Sequence, residues 1–304
     1  MNQTLSPAQL AAYFDRIGYS GSQQATSETL HALHRLHPHV IPFENLDPLL
    51  GRTPRLDLES VFAKLVSARR GGYCYEHNLL FRAVLDTLGF STTGLAARVM
   101  WNSLASNSAA ALPPRTHMIL LVETPNETWL ADVGFGSMTL TAPLLFDTGR
   151  EQETPHEPFR LDLIERGDFL LQVKLGDTWR PIYRFDLEPQ FPADYAMANH
   201  YVSTYPDSIF VNHLIVARVM PGERRTLLDT ILTQRGAESK RESKRKLASA
   251  EELRGVLQDT FGLVLADSDT ASDSGTRSGA AAGELDAVLK RIVGLPTPDT
   301  SATS

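Results

Sequence analysis

The spacing of the apolar residues changes near residue 90, and this change limits the folds that the chain can adopt. In residues 1–90 apolar side chains recur at helical spacing, whereas in residues 91–190 they alternate every second residue, as in strands. The strands follow one another as hairpins, which favours a closed or sharply curled antiparallel sheet. We therefore predict an α+β protein with an N-terminal helical bundle at residues 1–90 and a central antiparallel, barrel-like sheet at residues 91–190.

Local signals place four helices in the first region. Ser6 and Pro7 form a cap and a first turn, and Gly18 stops the first helix. Asp57 can cap the third helix, and the fourth helix begins near Cys74. A leucine stripe marks the second helix: Leu30, Leu33 and Leu36. These signals together predict a helical bundle.

The period-two region contains six candidate strands: 95–101, 117–122, 128–133, 159–165, 169–175 and 178–185. Residues 191–265 combine candidate strands 209–219 and 226–233 with a helix that Ser249 caps. We interpret this part as a smaller α/β lid. Its basic run, residues 240–246, is interpreted as a solvated hairpin or loop rather than as a phosphate contact.

The last part of the chain, residues 266–304, is a low-complexity tail. Residues 267–283 consist mostly of Asp, Ser, Thr, Gly and Ala, a composition typical of disorder. Residues 284–293 have a helical pattern, but a helix of that length is marginal in water unless it docks on another element. We expect the tail to be disordered and assign it no function.

Cys74 is the one cysteine among the 304 residues, so an intrachain disulfide is excluded. Two glycines precede the thiol and a helical pattern follows it, which places Cys74 at or just before a helix N-terminus. The free backbone amides and the helix dipole at such a position favour the thiolate. Cys74 is therefore a candidate nucleophile.

Two apolar runs downstream of Cys74 predict a β-hairpin that brings an imidazole and a carboxylate together. If Glu123 pairs with Thr128, Asp132 comes opposite Ile119, whose side chain shares a face with that of His117. A slip of one residue would put the two side chains on opposite faces, so the prediction requires an even register. The carboxylate of Asp132 can then orient the imidazole of His117 toward Cys74.

In these segments the chain resembles the arylamine N-acetyltransferases. The resemblance rests on four segments: 70–78 (RGGYCYEHN), 41–46 (IPFENL), Thr116–His117 and 132–136 (DVGFG). It covers about residues 1–265 and implies a cysteine-protease-like catalytic core with Cys74, His117 and Asp132 as the catalytic triad. It also implies acetyl-CoA as the acyl donor. Residues 266–304 lie beyond the point at which we expect a chain of this family to end.

Further site residues follow from the resemblance alone. It implies an acyl-donor cleft formed by Thr116, Gly134, Phe135 and Gly136, and an arylamine pocket lined by Phe43, Phe135 and Phe210. The residues themselves leave alternatives open, because a glycine-rich segment at a strand end is also typical of a bulge or turn, and Phe43 and Phe210 could simply pack in the core. Glu44 and Arg70 flank the motifs and could pair to hold the loop that carries Cys74.

The reaction implied by these residues is a two-step acyl transfer. Cys74 would attack acetyl-CoA to give an acetyl-cysteine, and an arylamine, an arylhydrazine or a similar amine would then remove the acetyl group. The backbone amide of Tyr75 is a candidate for stabilising the oxyanion. The alternatives are an acyl or amide synthase of the same family that uses a donor other than CoA, a cysteine hydrolase or transglutaminase, and a catalytically inactive binding module.

Four histidines, His31, His34, His37 and His39, form a cluster that could suggest a metal site. They flank the leucine stripe of the second helix, which Pro38 should break before His39, and no carboxylate nearby completes a ligand set. We therefore interpret them as a solvated helix flank and predict no metal. His77 follows Cys74 by about one helical turn, but without a carboxylate partner in the local sequence it is interpreted as structural.

Charge and hydropathy exclude some partners and locations. The net charge of −7 argues against a nucleic-acid partner. No run of apolar residues approaches the 18 needed to span a membrane, and the N-terminal residues lack the pattern of a signal peptide. We expect a cytoplasmic enzyme, and no sequence feature specifies an oligomeric state.

Overall fold

The computed structural model describes residues 4–101, 112–237, 241–265 and 278–296. Its helices are α1 (Pro7–Ile17), α2 (Ser27–Val40), α3 (Leu46–Leu49), α4 (Leu58–Phe62), α5 (Cys74–Thr87), α6 (Pro192–Thr204), α7 (Ile209–Asn212), α8 (Ala250–Gly255) and α9 (Ser278–Val293). Its strands are β1 (Phe43–Glu44), β2 (Ser91–Val99), β3 (Arg115–Glu123), β4 (Thr128–Ala131), β5 (Leu144–Leu145), β6 (Glu151–Gln152), β7 (Phe159–Leu163), β8 (Phe169–Leu175), β9 (Thr178–Phe185), β10 (Ile215–Met220), β11 (Glu223–Leu228), β12 (Ile231–Gly236) and β13 (Glu242–Lys246). Within these ranges, none of the helices has both the length and the apolar character needed to cross a bilayer.

The strands that follow α5 form an eight-stranded antiparallel sheet in the order β5-β4-β3-β2-β9-β8-β7-β6. The six strands predicted for residues 91–190 all belong to it, as β2, β3, β4, β7, β8 and β9. Their alternating apolar side chains, among them Leu95, Ile119 and Leu171, form a buried core of their own. The predicted α+β class with a barrel-like sheet is confirmed.

A second antiparallel sheet has the order β1-β10-β11-β12-β13. Its first strand comes from the region predicted to be helical, since Phe43 pairs with Ala217 of β10. At the other edge, β13 carries the basic run with exposed side chains, which agrees with the predicted solvated hairpin. This sheet therefore brings the segment just before the nucleophile loop against the last third of the chain.

The predicted helix boundaries of the first region are observed. Ser6 Oγ accepts a hydrogen bond from the Gln9 amide, the Gln9 side chain bonds back to the Ser6 amide, and Gly18 ends α1 with φ of 71°. Asp57 Oδ1 accepts from the Ser60 amide at 3.0 Å and so caps α4. Each boundary depends on neighbours within three residues in sequence.

The interpretation of α2 as a solvated flank is wrong. Pro38 lies inside the helix, in its last turn, so the proline does not break the helix before His39. His34 and His37 are both 0% exposed, and His34 Nε2 accepts a hydrogen bond from the Asp132 amide at 3.2 Å. The buried face of α2 is wider than its leucine stripe because other helices and the hairpin pack around it.

The strand predicted for residues 209–219 is wrong in its first part, since Ile209–Asn212 is helix α7 and the strand begins at Ile215. Ser208 caps α7 by accepting from the Phe210 amide at 3.3 Å, and the Asn212 side chain donates back to the Ser208 carbonyl at 3.0 Å. These local side-chain bonds favour a helical turn over an extended chain.

The prediction of a disordered tail is wrong for α9. The helical pattern of residues 284–293 is observed within the longer helix Ser278–Val293, and Leu285, Leu289 and Ile292 are buried in a core cluster. Arg254 of α8 donates to Asp286 at 2.6 Å. The helix is stable in this position because it docks its apolar face on α8 and the second sheet. Residues 266–277 and 297–304 lie outside the described residues.

The candidate site lies where α5 meets β3. Apolar side chains of α5, such as Leu80 and Phe81, share a core cluster with Met118 and Leu120 of β3. This packing places the N-terminal turn of α5 beside His117, at the start of the same strand.

Candidate active site

Cys74 is the first residue of α5, as the sequence predicts, and it is 4% exposed. Tyr73 precedes the helix, and its amide donates to Glu76 Oε2 at 3.1 Å. Lys64 Nζ in turn bonds Glu76 Oε1 at 2.7 Å. The thiol therefore lies at a helix N-terminus whose first turn is held by a buried ion pair.

The loop before Cys74 is also held by charge. Arg70 donates to Glu44 Oε1 at 2.7 Å and 3.0 Å through two guanidinium nitrogens, so the predicted pair is observed. The two glycines of the motif have no space for a side chain. A Cβ at Gly71 would lie 2.1 Å from the Pro42 carbonyl oxygen, and one at Gly72 would lie 2.7 Å from Glu76 Oε2. Close packing against these neighbours explains the glycines.

The hairpin of β3 and β4 has the predicted register, with Glu123 opposite Thr128. His117 Nε2 lies 2.7 Å from Asp132 Oδ2, so the two side chains meet diagonally across the hairpin as expected. Cys74 Sγ lies 3.7 Å from the carbonyl oxygen of Thr116, the residue before His117, and the thiol is among the groups that raise the pKa of His117. Because Nε2 is used by Asp132, the nitrogen available to the thiol is Nδ1. The fold thus brings Cys74, His117 and Asp132 together.

Asp132 is fully buried and strongly bonded. Its Oδ1 accepts from Asn78 Nδ2 at 3.1 Å and from the Gly134 amide at 3.0 Å. Burial opposes the carboxylate, but His117 and these hydrogen bonds outweigh it and hold the pKa of Asp132 below its ordinary value. Burial likewise opposes an imidazolium at His117, yet the Asp132 charge and the bonds to Asp132 and Cys74 raise the pKa of His117 to about 10. The site therefore favours a charged imidazole at neutral pH.

A cavity of about 450 Å³ opens beside the thiol and the imidazole. The residues expected to bind donor and acceptor all line it: Phe43, Thr116, Gly134, Phe135, Gly136 and Phe210. Phe43 and Phe210 are neighbours, with ring centroids 6.1 Å apart. Phe135 and His117 pack edge to face, with ring centroids 5.1 Å apart. Asp132 stands behind His117, outside the lining.

One part of the cavity wall was missed by the sequence interpretation. The second sheet contributes a group of mostly apolar residues: Ile215, Val216, Ala217, Thr226, Leu227, Leu228, Ile231 and Thr233. Val99, Trp101, Ser137 and Ile209 complete the lining. No local pattern in these strands distinguishes a cavity wall from ordinary core, so only their position in the fold identifies them. Asn78 was missed too, although it closes the motif of residues 70–78.

The glycine-rich segment is a tight turn whose amides are used within the protein. The Gly134 amide donates to Asp132 Oδ1, and the Gly136 amide donates to Thr139 Oγ1 at 2.7 Å. Gly136 has φ of 93°, which favours glycine. These two amides support the site instead of forming a cradle for an anion. Among the described residues there is no group of three His, Cys, Asp or Glu side chains arranged to hold a metal.

Enzymes that carry an acyl group on cysteine need a thiol, a base bonded to it and an acid that orients the base. The cavity presents these groups in that relation, and this defines the class of cysteine-dependent acyl-transfer enzymes. The family model described as N-acetyltransferase matches residues 26–270. The arylamine N-acetyltransferase of Escherichia coli K12 is 43% identical over 251 residues, which cover 83% of this chain and 87% of that protein. The chain belongs to the arylamine N-acetyltransferase family.

Further relatives agree in sequence and in structure. The arylamine N-acetyltransferase of Mycobacterium tuberculosis H37Rv is 42% identical over 294 residues, covering 95% of this chain and 99% of that protein. The structure of Mycobacterium marinum arylamine N-acetyltransferase in complex with CoA is 37% identical, covers 93% of this chain and 99% of that one, and has a TM-score of 0.82. The match to the tuberculosis protein includes more of the chain than residues 1–265. The expectation that residues 266–304 pass the family's end is therefore wrong.

Proposed function

We propose that this protein transfers the acetyl group of acetyl-CoA, through an acetyl-cysteine at Cys74, to the nitrogen of arylamines, arylhydrazines or similar amines. The observation that carries the proposal is that His117, bonded to Asp132 at 2.7 Å, lines one apolar cavity together with Cys74. The names of the relatives and the CoA complex of the Mycobacterium marinum structure support acetyl-CoA and an arylamine as the substrates.

In the first half-reaction His117 holds the thiol proton and leaves Cys74 as the nucleophile. The sulfur attacks the carbonyl carbon of the thioester, and the carbon–sulfur bond to CoA breaks when the tetrahedral intermediate collapses. The departing CoA sulfur takes the proton from His117. Asp132 keeps the imidazole in one orientation and stabilises its charged form during this step.

In the second half-reaction the amine enters the same cavity and attacks the acetyl-cysteine carbonyl. His117 removes the proton that the attacking nitrogen loses, and the carbon–sulfur bond to Cys74 breaks. The products are the amide and the thiolate–imidazolium pair with which the cycle began. One thioester replaces another in the first step, so the energy of the thioester remains available for amide formation in the second.

The oxyanion of both tetrahedral intermediates needs a hydrogen-bond donor. We assign this role to the backbone amide of Tyr75, because the first amides of an α-helix have no acceptor within the helix. Tyr75 follows Cys74 in the first turn of α5, so its amide lies close to the reacting carbonyl. The helix dipole adds to this effect.

The cavity wall suits an aromatic acceptor. Phe43, Phe210 and Phe135 line the cavity together with Cys74, and β10, β11 and β12 of the second sheet add aliphatic side chains to its wall. Such a wall buries the apolar body of an arylamine and leaves its nitrogen to meet the acetyl group. The cytosol keeps thiols reduced, which suits a catalytic cysteine and supports the cytoplasm as the place of action.

Mass spectrometry of the intact protein tests the proposal. Acetyl-CoA without an acceptor should add one acetyl group to the wild type, and adding an arylamine should remove it with formation of the acetylated amine. Cys74→Ser, checked by circular dichroism for an unchanged fold, should gain nothing. An equal gain on Cys74→Ser would refute the acyl-cysteine. Labelling by another thioester but never by acetyl-CoA would favour an amide synthase, and hydrolysis of a peptide thioester without amine transfer would favour a hydrolase.

A further inference from the structure

Three buried side chains form a chain of hydrogen bonds behind the nucleophile helix. Tyr13 Oη lies 2.9 Å from His37 Nδ1, His37 Nε2 lies 2.8 Å from His77 Nδ1, and His77 Nε2 lies 3.1 Å from the carbonyl oxygen of Pro42. Tyr13 and His37 are 0% exposed and His77 is 1% exposed. The chain of bonds thus links α1, α2 and α5 to the segment that precedes β1.

The last acceptor determines the direction of every bond. The Pro42 carbonyl can only accept, so His77 Nε2 carries a hydrogen and, in a neutral ring, His77 Nδ1 is an acceptor. His37 Nε2 must then donate to His77, which leaves His37 Nδ1 to accept from the Tyr13 hydroxyl. Both histidines are therefore neutral Nε2–H tautomers. With the rings in these tautomers, a proton added at His77 Nδ1 would face the Nε2–H of His37, donor against donor.

The final bond holds a wall of the cavity. Pro42 is joined to Phe43, whose ring lines the cavity and stacks on His77 with an interplanar angle of 6° and centroids 6.5 Å apart. The Phe43 segment also pairs with Gly72, since the Glu44 amide donates to the Gly72 carbonyl at 2.8 Å. The loop before Cys74 therefore keeps this contact when the His77 bond is lost, whereas the Pro42 carbonyl, next to Phe43, loses the donor that the His77 ring supplies.

We propose that Tyr13, His37 and His77 are positioning residues that fix the Phe43 wall of the acceptor cavity, and that they do so through a directional chain of hydrogen bonds in which both imidazoles are neutral. The proposal rests on the proposed function, because it assigns the Phe43 wall to the incoming amine. It concerns the second half-reaction, and it leaves the attack of Cys74 on acetyl-CoA unaffected.

The surroundings keep both imidazoles neutral. Burial lowers the pKa of His77 to about 4 despite its bond to the Pro42 carbonyl, and burial lowers the pKa of His37 well below its ordinary value. The charged and titratable groups that act on the two rings come from every neighbouring element: Arg16 of α1, His34 of α2, Glu44 of β1 and Lys64 of the turn after α4.

The tautomers can be measured directly on the wild-type protein. Nitrogen-15 NMR of the histidine rings, with the His77 signals assigned through His77→Gln, should show His37 and His77 as neutral Nε2–H tautomers from about pH 8 to about pH 5.5. A charged ring, or an Nδ1–H tautomer at either position in that range, would overturn the proposal. This measurement does not depend on the folding of a loss-of-bond variant.

Kinetics then test the positioning role. His77→Leu should raise the KM for the arylamine about tenfold while the rate of Cys74 acetylation by acetyl-CoA stays within about twofold. His77→Gln can both donate to Pro42 and accept from His37, so it should restore the acceptor KM. His31 lies on α2 but outside this chain of hydrogen bonds. His31→Gln is therefore the matched control, and its acceptor KM and acetylation rate should equal those of the wild type.

The outcomes separate this proposal from the proposed function. If the wild type is not acetylated on Cys74, the proposed function fails. If it is acetylated and His77→Leu has a wild-type acceptor KM, the positioning role fails. Should His77→Leu not fold, Tyr13→Phe replaces it, with an expected rise of about threefold in acceptor KM, and an unchanged KM in Tyr13→Phe would overturn the role.

Discussion

On one side of the cavity the buried imidazole favours its charged form, and on the other side it favours its neutral form. On the sheet side, His117 is 3% exposed and its pKa is raised to about 10. On the helix side, His77 is 1% exposed and its pKa is lowered to about 4. At both positions burial disfavours the charged imidazole. The partner makes the difference, because His117 faces a carboxylate at 2.7 Å and His77 faces a backbone carbonyl and a neutral histidine.

The comparison shows how one fold can use the same side chain for chemistry and for support. A charged imidazole can exchange a proton with a thiol, and it needs a buried acid that is itself held in place, as Asn78 and the Gly134 amide hold Asp132. The neutral imidazole of His77 has both nitrogens engaged in buried hydrogen bonds, so it links its neighbours and leaves no nitrogen for proton transfer. Gly134 lies between the two regions, next to both Cys74 and His77.

The largest expected effect comes from making the sheet side resemble the helix side. Asp132→Asn removes the charge that opposes burial of an imidazolium, so His117 should become a neutral ring with the wrong tautomer. We expect the acetylation of Cys74 to slow by on the order of one hundred to a few thousand-fold. The check is the pH dependence of Cys74 alkylation in the two proteins, with circular dichroism to establish equal folding. Superimposable alkylation profiles would remove Asp132 from the triad.

A smaller loss is expected at the contact between the two regions. A Cβ at Gly134 would lie 2.9 Å from His77 Cβ, 3.0 Å from Cys74 Cα and 3.1 Å from Asn78 Nδ2. Gly134→Ala should push the hairpin away from α5 and slow Cys74 acetylation roughly tenfold to one hundred-fold. Gly255→Ala is the matched control, since a Cβ at Gly255 would lie 3.9 Å from Asp259 Oδ2, an ordinary contact distance. Wild-type rates for Gly134→Ala would mean that the hairpin tolerates this shift.

The neutral state of His77 predicts an acid-dependent loss of stability. The pKa of His77 is about 4 in the folded protein and ordinarily 6.5, so the unfolded chain binds the proton first. The contribution of neutral His77 to the free energy of unfolding should therefore be fully present above pH 6.5 and be lost as the pH decreases from 6.5 toward 4. The share of His77 is on the order of 3 kcal/mol. Denaturant unfolding at several pH values should show that the free energy of unfolding depends less on pH in His77→Gln than in the wild type. Parallel pH profiles would contradict a neutral His77.

The smallest effect on catalysis is expected from the tail. The apolar side chains of α9 share a core cluster with α8 and the second sheet, and no described residue of α9 lines the cavity. A chain ending at Leu265 exposes the surface that Leu285, Leu289 and Ile292 cover, which should lower the free energy of unfolding by several kcal/mol. Its acetylation rate should stay within about threefold at a temperature where it is folded. A loss of one hundred-fold in a folded variant would instead make α9 part of the cavity's support.

Predictions from short-range chemistry agree with the structure. The caps at Ser6 and Asp57 depend on residues three positions away. The pairing of Glu123 with Thr128 follows from alternation within one hairpin, and it carries with it the meeting of His117 and Asp132. Capping residues were sufficient to predict the helix starts, and the alternation of polar and apolar side chains was sufficient to predict the hairpin.

The wrong predictions concern features that depend on distant neighbours. His37 looks like the flank of an amphipathic helix, but it is buried because α1 and α5 pack against that flank and supply Tyr13 and His77 as partners. The polar composition before α9 suggested disorder, yet the helix docks on α8, more than 20 positions earlier in the chain. A pattern within one element does not show what will cover it.

By itself, the sequence determined the candidate nucleophile, the order of its candidate partners and the class of fold, because a lone cysteine before a helix and an even-register hairpin are local features. Tertiary structure alone decided which histidines are charged. The charge of a buried imidazole depends on the group that meets its nitrogens, and for His37 and His77 that group comes from another helix or loop. The cavity wall was decided in the same way, since β10, β11 and β12 reach the thiol only when the second sheet forms.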